Sequence, residues 1–291
     1  MLYVFISICF SVAVSVMFKL AKRYHIDVYQ AITWNYSIAI VLTWLFLKPQ
    51  LNHLSSAPFG LLGLLGLLLP LLFVIIAASV KSNGIVRTDA AQRLSLFIPI
   101  AAALLIFGEV ATTTRTVGLI VGLVALICLI PWQKQTRDRK TNANSWVYLL
   151  AVFIGMGVID VLLKQVSQLT IGTSLFIVYT LAFTIALIGL FYQVFKKTMR
   201  FSWPHILIGW VLGIANFGNI LFYIKAHQSL AKKPSIVFAS MNVGVIVLGT
   251  LVGVIIFKEK LSLFNKIGLL LAILAIFVIY YPDFFTKLFA H

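Results

Sequence analysis

The sequence predicts an all-α integral membrane protein of ten transmembrane helices, built as two inverted five-helix repeats. Three observations carry this. The first is composition: 62% of the residues are hydrophobic and 10% charged, with a mean hydropathy of +1.06. Soluble domains are about half apolar and about a quarter charged, so this much apolar surface points to lipid. The second is the set of apolar runs, at 1–19, 30–47, 58–80, 88–107, 115–131, 146–164, 172–195, 203–225, 234–256 and 265–281. Each is long enough for a helix to cross a bilayer, which takes roughly 17–25 residues, and none alternates with period 2 as membrane strands do. The third is a duplicated stretch. Ile98–Ile130 and Leu248–Tyr280 each read as an apolar run, a polar joint with a glutamate (Glu109, Glu259), then a second apolar run opened by glycine (Gly118, Gly268).

The remaining elements follow the same division. Met1–Phe18 lacks a basic leader and a small-residue cleavage site, so it is expected to be a retained first span. That span closes at Lys19, as the sixth closes at Lys164. Span two carries Trp34-Asn35-Tyr36, and span seven carries Val178-Tyr179-Thr180 at the matching depth. Span three holds Gly60, Gly63 and Gly66; span eight holds Gly209, Gly213 and Gly218. Small residues on one face let helices approach closely. Span four holds Asp89, Gln92, Arg93 and Pro99, and the proline is expected to kink it. The polar joint Trp132–Ser145 separates five spans from five. It divides the chain into a first repeat (1–131), a linker (132–145) and a second repeat (146–291). Because five is odd, the second repeat enters the membrane from the opposite side.

The net charge of +16 does not imply nucleic-acid binding, because Lys and Arg are spread over the joints between spans. Joints after odd-numbered spans hold about twice as many of them as the rest, which by the positive-inside rule puts both termini outside the cell. Cys9 and Cys128 lie within apolar runs and suggest neither a disulfide nor a metal site. Trp44, Trp132, Trp146 and Trp203 fall near span ends, as interfacial anchors do.

Ionisable groups deep in a span usually face a cavity or a partner. Asp160 lies four residues before Lys164, on one helix face, so the two can pair. Burial and a nearby ammonium pull a carboxyl's charge state in opposite directions, a competition that a proton-coupled site needs. The structural alternative is a pair near the membrane surface with Lys164 snorkelling out. Asp89 and Arg93 have the same spacing, and Arg93 can clamp a carboxylate through two parallel bonds. Asn216, Asn219 and Tyr223 share a face of span eight, and Asn242 lies in span nine. Such amides either bond between helices or line a cavity. Trp34 and Asn35 adjoin near one end of span two, where Trp34 is either an anchor or a substrate contact. Glu109 and Glu259 are expected to pair with nearby helix ends or basic side chains. The candidates for substrate binding or coupling are therefore Lys19, Trp34, Asn35, Asp89, Gln92, Arg93, Asp160, Lys164, Asn216, Asn219, Tyr223 and Asn242.

An enzyme is not expected. The histidines are scattered near span ends or in joints, with no H-E-x-x-H, no G-x-S-x-G and no Gly-rich phosphate loop. No cofactor or metal is implied.

With ten spans in two halves, the Phe-Gly-Glu and Phe-Lys-Glu joints with glycine nine residues on, and the lysine closing span one, the chain resembles the drug/metabolite transporter superfamily, EamA-like family. The resemblance implies a secondary transporter of a small organic metabolite, often an exporter, working by alternating access at a cavity between the halves. Transmembrane basic residues outnumber the acids there, suggesting an amino acid or other carboxylate-bearing compound, with proton coupling as an open option. A bacterial inner membrane is the implied location, and a channel or lipid scramblase is the alternative. Two features depart from the family: Trp34-Asn35-Tyr36 stands where members usually keep a basic residue, and the family's cytoplasmic termini oppose the charge bias.

Overall fold

The computed structural model of the chain describes residues 2–23, 26–50, 52, 57–110, 112–129, 145–196, 201–258 and 262–280. Among these, secondary structure is helical throughout. The helices are α1 (Leu2–Arg23), α2 (Val28–Leu47), α3 (Phe59–Asn83), α4 (Ile85–Leu94), α5 (Phe97–Leu105), α6 (Thr113–Leu129), α7 (Trp146–Val166), α8 (Ile171–Phe195), α9 (Trp203–Ser229), α10 (Pro234–Phe257) and α11 (Leu263–Tyr280). In hydrocarbon a helix satisfies its own backbone polar groups, which is why long apolar runs adopt it. Among the described residues, six helices are long and apolar enough to cross a membrane: α2, α3, α7, α8, α9 and α10. Shorter apolar stretches run over Leu2–Met17, Thr116–Cys128 and Leu263–Ile279. Leu105, Phe195 and Ile255 are among many large apolar side chains left exposed, as a lipid-facing surface requires. The protein is a multi-pass helical membrane protein.

The fourth predicted span differs from expectation. Pro99 breaks it into two helices instead of kinking one. Proline has no N–H to return to the Ser95 carbonyl. That carbonyl instead accepts from the Ile98 N–H at 3.0 Å, and the Leu96 N–H donates to the Arg93 carbonyl at 3.3 Å. The chain tightens into a turn at Ser95–Leu96. Nine-residue α5 extends only about 14 Å at 1.5 Å per residue, roughly half a bilayer core. The segment's other end is set by Gly84, whose φ of 87° separates α3 from α4.

Packing follows the small residues. A Cβ on Gly213 would overlap Ile38 and the Asn35 carbonyl, and one on Gly209 would overlap Trp34 and Ala31, so α9 lies against α2 and parallel to it. Gly66 of α3 receives Val178 and Leu181 of α8 in the same way. Gly60 and Gly63, by contrast, face open space. Helices α2 and α8 run antiparallel: the Thr33 hydroxyl lies 3.3 Å from the Ala186 carbonyl, the Trp44 and Phe176 rings stand 5.8 Å apart, and Leu47 meets Gly172. Helices α6 and α11 are also antiparallel, with Gly118 against Ile279 and Gly122 against Ala275. Helix α1 packs on α9 and α10, α3 on α7 and α8, and α7 on α4 and α5.

Candidate functional site

A cavity of about 230 Å3 lies among α1, α3, α4, α7, α9 and α10. Its polar lining comprises Ser11, Gln92, Arg93, Asp160, Asn216, Asn219, Tyr223 and Asn242; Leu69, Leu72, Met156 and Met241 are among its apolar contacts. Most of the polar candidates named from sequence therefore converge on one space.

Local structure explains how each side chain reaches it. The start of α4 is pinned to α3 by the Ser79–Thr88 hydroxyl contact at 2.8 Å, while Thr88 also donates to the Gly84 carbonyl at 2.9 Å. Its end is fixed by the Ser95 hydroxyl, which donates to the Gln92 carbonyl at 2.6 Å. Gln92 and Arg93 are thus held in the last turn of a short, anchored helix. Arg93 contacts Asp89 at 3.4 Å within α4, a partly exposed pair that contributes at most about 1 kcal/mol. The Arg93 side chain lines the cavity, whereas Asp89 does not.

Across the cavity, Asp160 of α7 accepts a hydrogen bond from the Tyr223 phenol at 3.0 Å. The predicted Asp160–Lys164 pair is not the bond that forms. Lys164 is 1% exposed, and its ammonium lies 3.4 Å from the Ala231 carbonyl and 5.7 Å from the centre of the Phe107 ring. The four-carbon stem carries the charge past its neighbour to a backbone carbonyl in the turn after α9. That neither pairs it with Asp160 nor snorkels it out to water. Asn219 is fixed by Ser7, whose hydroxyl lies 2.9 Å from its side-chain oxygen, and the Asn242 amide donates to the Phe238 carbonyl at 3.1 Å.

Trp34 and Asn35 stand outside the cavity, packed on the α9 glycines. Lys19 lies in α1, but its side chain falls outside the described residues. Glu109 is buried and accepts from the backbone N–H of Ser235 at 2.8 Å and from its hydroxyl at 2.6 Å, closing the N-terminus of α10. This is the helix-end role expected from sequence; Glu259, its counterpart, is outside the described residues, as is nearly all of the 132–145 linker. Sequence reasoning missed His227, which is fully buried. Its ring stands edge-on to Tyr223 at 4.8 Å and 4.7 Å from Phe238. Its position one turn beyond Tyr223 on a polar helix face was the available signal.

These features define a class: a multi-pass α-helical membrane protein with a largely apolar cavity among its helices that carries polar and ionisable side chains. The chain belongs to one family with an uncharacterized protein of Haemophilus influenzae, to which it is 42% identical over 96% of its own length and 97% of the other's. No family model matches it. A protein of known crystal structure shares the fold, with a TM-score of 0.73 at 14% identity, covering 95% of this chain and 94% of that one.

Proposed function

We propose that the protein is a secondary transporter of the drug/metabolite superfamily, EamA-like, which moves a small organic metabolite by alternating access. The observation that carries this reading is the behaviour of the helix packing when the two halves are exchanged. Let α1 trade places with α7, α2 with α8, α3 with α9, the α4–α5 pair with α10, and α6 with α11. The contact of α1 with α9 becomes that of α7 with α3, α2 with α9 becomes α8 with α3, and α1 with α10 becomes α7 with α4 and α5. All of these contacts occur. The close approaches trade as well: Gly213 against Asn35 and Ile38 corresponds to Gly66 against Val178 and Leu181. The self-exchanging pairs, α2 with α8 and α6 with α11, are antiparallel, as a twofold axis in the membrane plane demands. This supports ten spans in two inverted repeats, with α4 and α5 together as one broken span. Broken helices beside a midplane site are a recurrent device of such carriers.

The cavity then lies between the halves, with Arg93 supplied by one and Asp160 by the other. Arg93 suits a carboxylate, and Asp160 suits either an amino group or a coupling proton. An amino acid or related carboxylate-bearing metabolite fits both, exported across a bacterial inner membrane. The test is flux in proteoliposomes loaded with a panel of amino acids and organic acids. Saturable flux with counterflow is expected. Flux that rises linearly with concentration would favour a channel, and lipid exchange without solute flux would favour a scramblase.

A further inference from the structure

A second polar group lies outside the cavity. Tyr36 of α2 and Tyr179 of α8 are both 0% exposed, with ring centres 6.4 Å apart. Beside them on α2 is Asn35, 1% exposed and pressed against Gly213 of α9. One turn beyond Gly213 comes Asn216, 6% exposed and part of the cavity wall; the ring of its neighbour Phe217 lies 6.4 Å from that of Tyr179, tilted to it. Both phenol oxygens, both polar atoms of the Asn35 amide and the Asn216 amide nitrogen have no hydrogen-bond partner among the described residues. Buried polar atoms are almost always paired, because an unpaired one pays its full desolvation cost. Five together, on three helices that meet at close-packed glycines, are costly if this arrangement is the one the chain always holds.

We propose that Asn35, Tyr36, Tyr179 and Asn216 form a second, presently closed chamber of the substrate path, which opens toward the opposite membrane face from the cavity. This rests on the transporter reading and extends it. The chamber offers phenols and amides and no ionic group, so it takes the uncharged polar part of the substrate: a hydroxyl, carbonyl or amide. Arg93 and Asp160 hold the charged end. Asn216, shared by both spaces, is the point of transfer. In this scheme the cavity and the seam trade solvent access as the helices rock, and the unpaired atoms gain their partners in the second state.

The test is sided cysteine labelling in membrane vesicles of known orientation, with Cys9 and Cys128 replaced by serine. Gln92→Cys reports the cavity; Asn35→Cys and Tyr179→Cys report the seam. A membrane-impermeant methanethiosulfonate is applied from each side. The expected result is modification of Gln92→Cys from one face and of the seam cysteines from the other. Seam cysteines that react from neither face, or from the same face as Gln92→Cys, overturn the proposal. A shape-conserving variant guards against misfolding. Tyr36→Phe with Tyr179→Phe is expected to keep or raise thermal stability while lowering flux by about tenfold or more; unchanged flux in that variant also overturns the proposal. Failure of the transporter reading looks different: no saturable flux in the unaltered protein, whatever the labelling pattern.

Discussion

Asp160 and Arg93 reach one cavity from α7 and α4, and their roles separate experimentally. Asp160→Asn keeps the shape and can still accept from Tyr223, but it cannot carry or release a proton. Its expected effect is a flux that no longer varies with pH, measured in vesicles with the pH clamped on both sides; a profile that survives intact removes Asp160 from coupling. Arg93→Gln retains an amide donor pair on a shorter side chain while losing the charge. An anionic substrate is expected to lose about tenfold or more in affinity, as for a charge-assisted pair, and a neutral analogue much less. Equal losses for the two would make Arg93 a structural partner of Asp89. These residues were legible in the sequence because polar groups inside apolar spans must face something other than lipid. Which partner each takes was not. Lys164 and Asp160 share a helix face, yet the Ala231 carbonyl and the Tyr223 phenol claim them separately, and both of those come from the second half of the chain.

At the scale of the helix, two devices position the site. One is the Glu109 carboxylate at the N-terminus of α10, where backbone N–H groups lack partners within the helix. Glu109→Ala leaves the Ser235 N–H without this acceptor and is expected to cost about 2 kcal/mol, the range for hydrogen bonds to charged groups. The readout is a lower unfolding midpoint in detergent. The other device is the glycine seam of α9. Gly213→Ala forces a methyl into Ile38 and the Asn35 carbonyl, and overpacking of this kind costs about 1–3 kcal/mol. Gly63→Ala, where nothing stands within 4 Å, is expected to be neutral or stabilising by up to about 1 kcal/mol. A thermal-shift comparison of the two variants checks the contrast; equal effects would refute the close approach. Small-residue spacing marked both helices in the sequence, but not which glycines meet a neighbour, because that depends on how each helix is rotated. Apolar residues cover most of the surface of these helices, so periodicity alone does not say which glycines face a neighbour. The same ambiguity explains why Trp34 and Asn35 were expected at the site and lie beside it. Pro99 announced a disturbance, but whether the chain bends or breaks depends on how Ser95 and Leu96 can be satisfied.

For the whole molecule, the proposed inverted arrangement makes a topological demand. The joint beginning at Lys48 and the one beginning at Lys196 should lie on opposite faces of the membrane. Single cysteines at Gln50 and Lys196, probed with an impermeant reagent in intact cells and after permeabilisation, are expected to give opposite accessibility; the same side for both would dismantle the antiparallel pairing of α2 with α8. The duplicated Glu-to-Gly pattern is what suggested the proposed repeat in the sequence, because it recurs at one spacing. Which helices of one half touch those of the other had no trace in the sequence, since contacts between distant segments leave no local signal.

That cross-packing bears on how the protein is made. Helices α1 and α2 find their main surface in α9, which leaves the ribosome on the order of ten seconds after them at typical synthesis rates. Until then the early helices wait in the bilayer with their binding faces turned to lipid. Assembly of the first half is therefore hostage to completion of the second, and a truncated chain ending in the central linker is left as unassembled material for quality control.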